Sequence, residues 1–114
     1  MYFSKYLFEG DKIKKPQKIL EKVNKGKCLK KYYFVCYHDG SGLQILVSYL
    51  FLQKYYRDLD LEAVAVFWSE EEAFEYIRVL TDFSMKKYGL IDYRRVIENV
   101  SRESLLESFG IEEM

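Results

Sequence analysis

The sequence predicts an α+β domain: a single antiparallel or mixed sheet of about four strands, in the order β-α-β-β-α-β-α, with C-terminal helices. Three observations carry this. Ala63-Val64-Ala65-Val66-Phe67-Trp68 is an unbroken apolar run without polar alternation, which describes a central strand covered on both faces. Ser69-Glu70-Glu71-Glu72 follows, then apolar residues at helical spacing as far as Gly89. Upstream, aromatic strand-like segments are separated by turn residues and a short amphipathic helix.

Tyr2 to Phe8 is aromatic-rich with partial alternation and predicts the first strand, broken by Glu9-Gly10-Asp11. Pro16 suits the first position of a helix. Ile19, Leu20 and Val23 give that helix its apolar face, Lys18, Lys22 and Lys25 a basic stripe, and Gly26 its end. Tyr32 to Tyr37 predicts a second strand by aromatic and β-branched content. Asp39-Gly40-Ser41-Gly42 predicts a hairpin turn, and Leu43 to Val47 the returning strand. Ser48 is placed to cap a short helix in which Tyr49, Leu52, Tyr55 and Tyr56 share a face. Arg57 to Asp60 loops into the central strand.

Ser69 and Glu72 have capping-box spacing, and three carboxylates in a first turn meet its positive partial charge. These roles explain the acids better than a metal cage, since consecutive helical residues point in different directions. In this long helix Ala73, Ile77, Leu80, Ser84 and Tyr88 form a stripe that Phe74, Tyr76, Phe83 and Met85 widen, predicting cover on more than one side. Phe74 and Ile77 are therefore expected to be buried. Lys86 and Lys87 suit the last turn and Gly89 the left-handed stop. Asp92 can cap a helix carrying Tyr93, Val96, Ile97 and Val100. Ser101 can start another with Leu105, Leu106 and Phe109, ended by Gly110 before a solvated Glu112-Glu113 tail. A ferredoxin-like sheet fits this order, as does a hairpin-based sheet with another strand order.

The 114 residues make one domain, 1–114. A chain of this size buries roughly two thirds of its unfolded surface, so a core needs neither metal nor disulfide. Its 20 aromatic residues exceed what such a core uses, so some rings should face outward, where they favour partner contact. Two cysteines are no disulfide framework. No basic start followed by an apolar segment suggests secretion, and the run from Ile45 to Leu52 is too short to span a bilayer. A cytoplasmic protein with reduced thiols and no membrane contact is expected.

The net charge of zero hides a polarity. Residues 1–57 hold 12 Lys or Arg against 4 Asp or Glu, and residues 58–114 hold 6 against 14. Such asymmetry points to a partner surface.

Several segments resemble small bacterial α+β proteins that have no assigned activity. They are Tyr33-Phe34-Val35, Tyr55-Tyr56, Ala65-Val66, Glu71-Glu72-Ala73 and Gly89-Leu90-Ile91-Asp92, within residues 15–95. That resemblance implies a fold and no functional residue. Lys30 to Tyr37 is similar to the RNP1 strand of RNA-recognition domains, matching at Lys30, Tyr32, Phe34, Val35 and Tyr37. Lys31 and Tyr33 stand where that motif has small residues, and the strand is the second rather than the third. The resemblance implies base stacking on Tyr32 and Phe34.

Catalytic signals are weak. Cys36 and His38 lie two apart on a strand, roughly 6–7 Å at the backbone, where thiol activation needs about 3 Å. Cys28, Cys36 and His38 have irregular spacing for zinc, and adjacent Asp39 would point to the opposite face. The glycines near Ser41 lack a Walker pattern. No cofactor, metal or catalytic residue is implied.

The leading expectation is a non-catalytic protein-interaction or regulatory module, its partner another protein or a second copy in a homodimer. The alternative is a nucleic-acid-binding protein using the lysine-rich 12–31 segment and the aromatic strand 32–37, through Lys14, Lys15, Lys18, Lys22, Lys25, Lys30, Lys31, Tyr32 and Phe34. A small enzyme is the third class. Exposed rings beside the lysines favour nucleic acid; exposed rings in a dry patch without lysines favour a protein partner.

Overall fold

The computed structural model describes residues 1–38 and 42–109. Four strands, β1 (Tyr2–Glu9), β2 (Tyr33–His38), β3 (Gly42–Val47) and β4 (Glu62–Phe67), form one mixed sheet in the order β1-β4-β2-β3. The helices are α1 (Pro16–Asn24), α2 (Lys54–Arg57), α3 (Glu70–Tyr88), α4 (Tyr93–Asn99) and α5 (Arg102–Glu107), with a 3₁₀ helix at Ser48–Leu52. The α+β class and the element order are as the sequence predicts.

Ala63 to Phe67 of the apolar run lie in one of the two interior strands. β4 pairs parallel with β1 and antiparallel with β2, and Ala63 to Phe67 are fully buried. Val35 pairs with Ala65 and Cys36 with Ala63, so Val64 is an extra residue in a bulge. The bulge turns Val64 and Ala65 toward one face, and Ala63 and Val66 toward the other. Helices α3, α4 and α5 cover the first face; α1 and the 3₁₀ helix cover the second. The sheet is the middle of three layers.

The strand order is hairpin-based. β2 and β3 pair directly, with the turn at 39–41 outside the described residues, as are Gly110 and the Glu112-Glu113 tail. From the pairings, β1 runs antiparallel to β2, so β1-α1-β2 is not a split βαβ unit and the sheet is not ferredoxin-like. The second half does have that form, because β3 and β4 are parallel with β2 between them.

Two expectations about helices are corrected. The segment after Ser48 is no single capped helix. Its backbone is extended at Gln53, which separates the 3₁₀ helix from α2. Phe51 is the buried residue there, whereas Tyr49, Leu52 and Tyr55 are exposed. The tighter 3₁₀ turn rotates side chains away from the α-helical face. In α3 the cap, the acidic first turn and the Gly89 stop hold, but the helix buries one face only. Ala73, Tyr76, Val79, Leu80 and Ser84 face the core; Phe74 is 59% exposed and Met85 49%. Among the described residues nothing packs over the far side of α3, so the wide apolar stripe overstated its burial.

Helix α1 ends in a Schellman motif. Gly26 has φ 68°, its N–H donates to the Val23 carbonyl, and the Lys27 N–H donates to the Lys22 carbonyl. Arg57 lies against Gly26, where a Cβ would stand 2.3 Å from its Nη1. The same nitrogen donates to the Phe51 and Leu52 carbonyls, tying α1 to the 3₁₀ helix. Among the described residues no helix is long and apolar enough to cross a membrane.

Candidate functional site: a lysine-lined groove

Ile13 is buried in the second-face core and fastens the segment before α1. Lys12, Lys14 and Lys15 are thereby held at the surface on either side of it. Ile19 and Val23 bury one stripe of α1, which turns Lys18 and Lys22 outward. The chain then returns past α1. Cys28 is buried, with its Sγ donating to the Lys30 carbonyl at 3.4 Å. Ser48 fixes the next residues: its buried Oγ donates to the Lys30 carbonyl at 2.6 Å and accepts the Tyr32 N–H at 2.9 Å. The residue expected to cap a helix instead sets the rim of a groove.

Lys14, Lys15, Lys18, Lys22, Lys27 and Lys30 line this concavity of about 440 Å³, with Ile19, Cys28, Leu29 and Tyr32. A shallower hollow continues from it, lined by Asp11, Lys12, Lys14 and Trp68. Lys14 belongs to both. Tyr32 and Trp68 meet edge to face, with ring centres 6.0 Å apart, and Trp68 is 47% exposed. Burial pushes the Tyr32 phenol above its ordinary pKa.

Local rules are broken where the groove meets α1. The helix has no acid in its first turn and no side-chain cap, and Lys15 at its start is left-handed, φ 51° and ψ 59°. A left-handed non-glycine residue costs on the order of 1–3 kcal/mol and recurs at functional sites. Cations at a helix N-terminus add repulsion. Among the described residues none of the six groove lysines makes an ion pair. All five arginines, by contrast, are engaged. Arg57 donates to carbonyls. Arg78 bridges Glu75 and Asp82, Arg94 lies 3.8 Å from Glu62, and Arg95 lies 3.6 Å from Asp92. Arg102 donates to the Glu9 carbonyl at 2.8 Å.

A second hollow of about 560 Å³ contains Tyr2, Tyr37, His38, Tyr55, Tyr56, Asp60 and Glu62. It is tyrosine-rich and acidic, but Arg94 already covers the Tyr37 ring at 3.9 Å and pairs with Glu62. The acidic hollow is partly neutralised from within, while the basic groove is not.

The sequence-predicted residues divide accordingly. Lys14, Lys15, Lys18, Lys22, Lys30 and Tyr32 come together. Lys25 at the end of α1 and Lys31 do not line the groove. Phe34 is fully buried, its ring 6.1 Å from Phe51. Stacking on Phe34 is therefore overturned, because α1 and the 3₁₀ helix cover the sheet face that an RNP1 strand leaves bare. Lys27 joins the groove because the Schellman turn brings the chain back beside α1. Trp68 was concealed in the apolar run; strand β4 stops at Phe67, and the ring lies outside the core.

Cys36 and His38 form no evident catalytic pair. Cys36 is fully buried and His38 exposed, and burial pushes the Cys36 thiol up to about 12. Cys36 therefore keeps its proton near neutrality and is a poor nucleophile. Among the described residues no group of three His, Cys, Asp or Glu is arranged to hold a metal ion. No protein-family model, curated protein or solved structure matches the chain.

Proposed function

We propose that this chain is a non-catalytic binding module that holds nucleic acid by its phosphate backbone in the lysine groove. One observation carries the proposal: six lysines line a single concavity and make no ion pair among the described residues. Gathering like charges is unfavourable for the free protein, and a polyanion removes that repulsion while releasing its own condensed counterions. Lysine suits this role, being a compact point charge that needs no fixed bidentate geometry. The open Trp68 ring and the partly buried Tyr32 adjoin the lysines, which supports nucleic acid over an acidic protein segment at this groove, while the exposed Tyr2 and Tyr55 line the second hollow away from it.

The test is binding to oligonucleotides across a salt series. Log affinity should fall linearly with log salt, by roughly 0.7 per neutralised phosphate on single strand or 0.9 on duplex. Six contacts would set a slope near −4 on single strand, by the same principle. Lys18→Glu/Lys22→Glu should abolish measurable binding at physiological salt and leave the fold intact, since both side chains are exposed. Binding that ignores both salt and charge reversal would reduce the charge polarity to a matter of solubility.

A further inference from the structure

We infer that the groove takes a single strand, and that an unstacked base of this strand lies on Trp68 beside Tyr32; this rests on the nucleic-acid function just proposed. Lysines alone would hold any phosphate chain. What distinguishes this surface is the position of its one tryptophan. Trp68 is 47% exposed at the junction of β4 and α3, and it shares its hollow with Lys12 and Lys14. Lys14 also lines the groove itself. A strand whose phosphates lie along Lys14, Lys18 and Lys22 therefore passes within reach of the indole.

The ring is also held in place. Tyr32 meets it edge to face at 6.0 Å, and the Tyr32 backbone is pinned by Ser48. Behind Trp68, Ser69 begins α3 with its side chain accepting the Glu72 N–H. A large apolar surface left half open, yet fixed from two sides, is a stacking platform. Single-strand binders combine such platforms with a basic groove that tracks the backbone. In a duplex the bases are stacked on each other, so duplex offers the lysines its phosphates but offers Trp68 no ring face. Asp11 lines the same hollow. Its negative charge disfavours a phosphate directly over Trp68, leaving that spot to a base.

The sole tryptophan reports on its own occupancy. Four probes separate the possibilities: a short oligothymidylate, an abasic deoxyribose-phosphate oligomer of equal length, a mixed-sequence duplex and poly-glutamate. Oligothymidylate should quench Trp68 emission and bind more tightly than the abasic oligomer or the duplex. Trp68→Ala should weaken oligothymidylate binding roughly 5- to 150-fold, the range expected for one lost stacking contact. It should leave abasic binding unchanged, and Trp68→Phe, which keeps a ring, should recover most of the loss. Lys18→Glu/Lys22→Glu should weaken both. Equal, unquenched binding of the oligothymidylate and abasic oligomers overturns the stacking inference while the phosphate-binding function stands. Tighter binding of duplex does the same. Poly-glutamate bound as tightly as oligothymidylate, or no salt-sensitive binding of any nucleic acid, overturns both.

Discussion

The two faces of the sheet are built by different rules. On the α3 face, local chemistry and global fold agree. Ser69 caps α3, acids fill its first turn, Lys86 and Lys87 its last, and Gly89 stops it at φ 73°. Asp92 and Ser101 cap α4 and α5 in the same way, and Arg78 spans two carboxylates. On the α1 face these preferences are reversed at one end. A helix opens on lysines, without a cap, from a left-handed Lys15. Consistency across levels specifies a fold, and a stretch that violates it without compensation marks where selection has acted on something else. The contrast separates a stabilising face from the face proposed to bind nucleic acid.

The largest expected effect tests the stabilising face. Leu80 is fully buried in α3, and Leu80→Ala should cost about 2–5 kcal/mol in urea unfolding. Phe74→Ala should cost under about 1 kcal/mol, because the ring stands outside that core. Comparable losses would mean that the far side of α3 is covered in solution, and that the one-sided packing described above is incomplete.

That pair also marks how far the sequence was legible. Boundaries, caps and stops of α3, α4 and α5 could be read because each has a local cause: a hydroxyl or carboxylate at the N-cap, a glycine at positive φ. Burial could not be read as well. Phe74 and Tyr76 are both large and aromatic but stand about 200° apart on the helix; Tyr76 shares the face of Ala73 and Leu80, and an apolar stripe too wide to single out one face concealed the difference. The groove was legible as charge and illegible as shape. The lysines of residues 12–31 announced a basic region. Lys27 and Lys30 joined it, and Lys25 and Lys31 did not, through a Schellman turn and the distant hydroxyl of Ser48. Trp68 and Phe34 exchanged roles for a similar reason. The helical cover of one sheet face buries Phe34, and the early end of β4 frees Trp68.

A medium effect concerns the buried thiol beneath the α1 face. Cys36 is pushed up from 9.0 to about 12 by burial, so the folded state keeps its proton where the unfolded chain has lost it. Below pH 9 both states are protonated and this group leaves stability flat. Between about 9 and 12 the folded state binds more protons, and stability falls as pH rises. One pH unit above the unfolded value, Cys36 alone should have removed about 1.4 kcal/mol. Tyr37, raised to about 12 mainly by burial, adds to the loss in the same direction. Urea titrations at pH 8, 9 and 10, chosen to span about one unit on each side of the unfolded value, should show the decline, and Cys36→Ala should flatten it. A wild-type curve that stays flat to pH 10 would mean that the second-face core admits water.

The smallest effect is the sharpest test of the contrast, because stability and binding should move in opposite directions. Lys15 holds φ 51° at the start of α1, a conformation glycine adopts without steric strain. Lys15→Gly relieves that strain and removes a cation from the positive end of the helix, while glycine adds freedom to the unfolded chain. The balance should stabilise the fold by about 0.5–1 kcal/mol. The same substitution removes one of the groove's six lysines, so its salt slope on single strand should be shallower by about 0.7. Lys25→Gly is the matched control. Lys25 is also exposed and adjoins α1, but its φ is −90° and it lies outside the groove. That change should cost a few tenths of a kcal/mol, in line with a helix-end glycine, and leave the salt slope where it was. If Lys15→Gly destabilises the fold, or if both variants lose binding equally, the left-handed lysine is no mark of function and the α1 face loses its distinction from the α3 face.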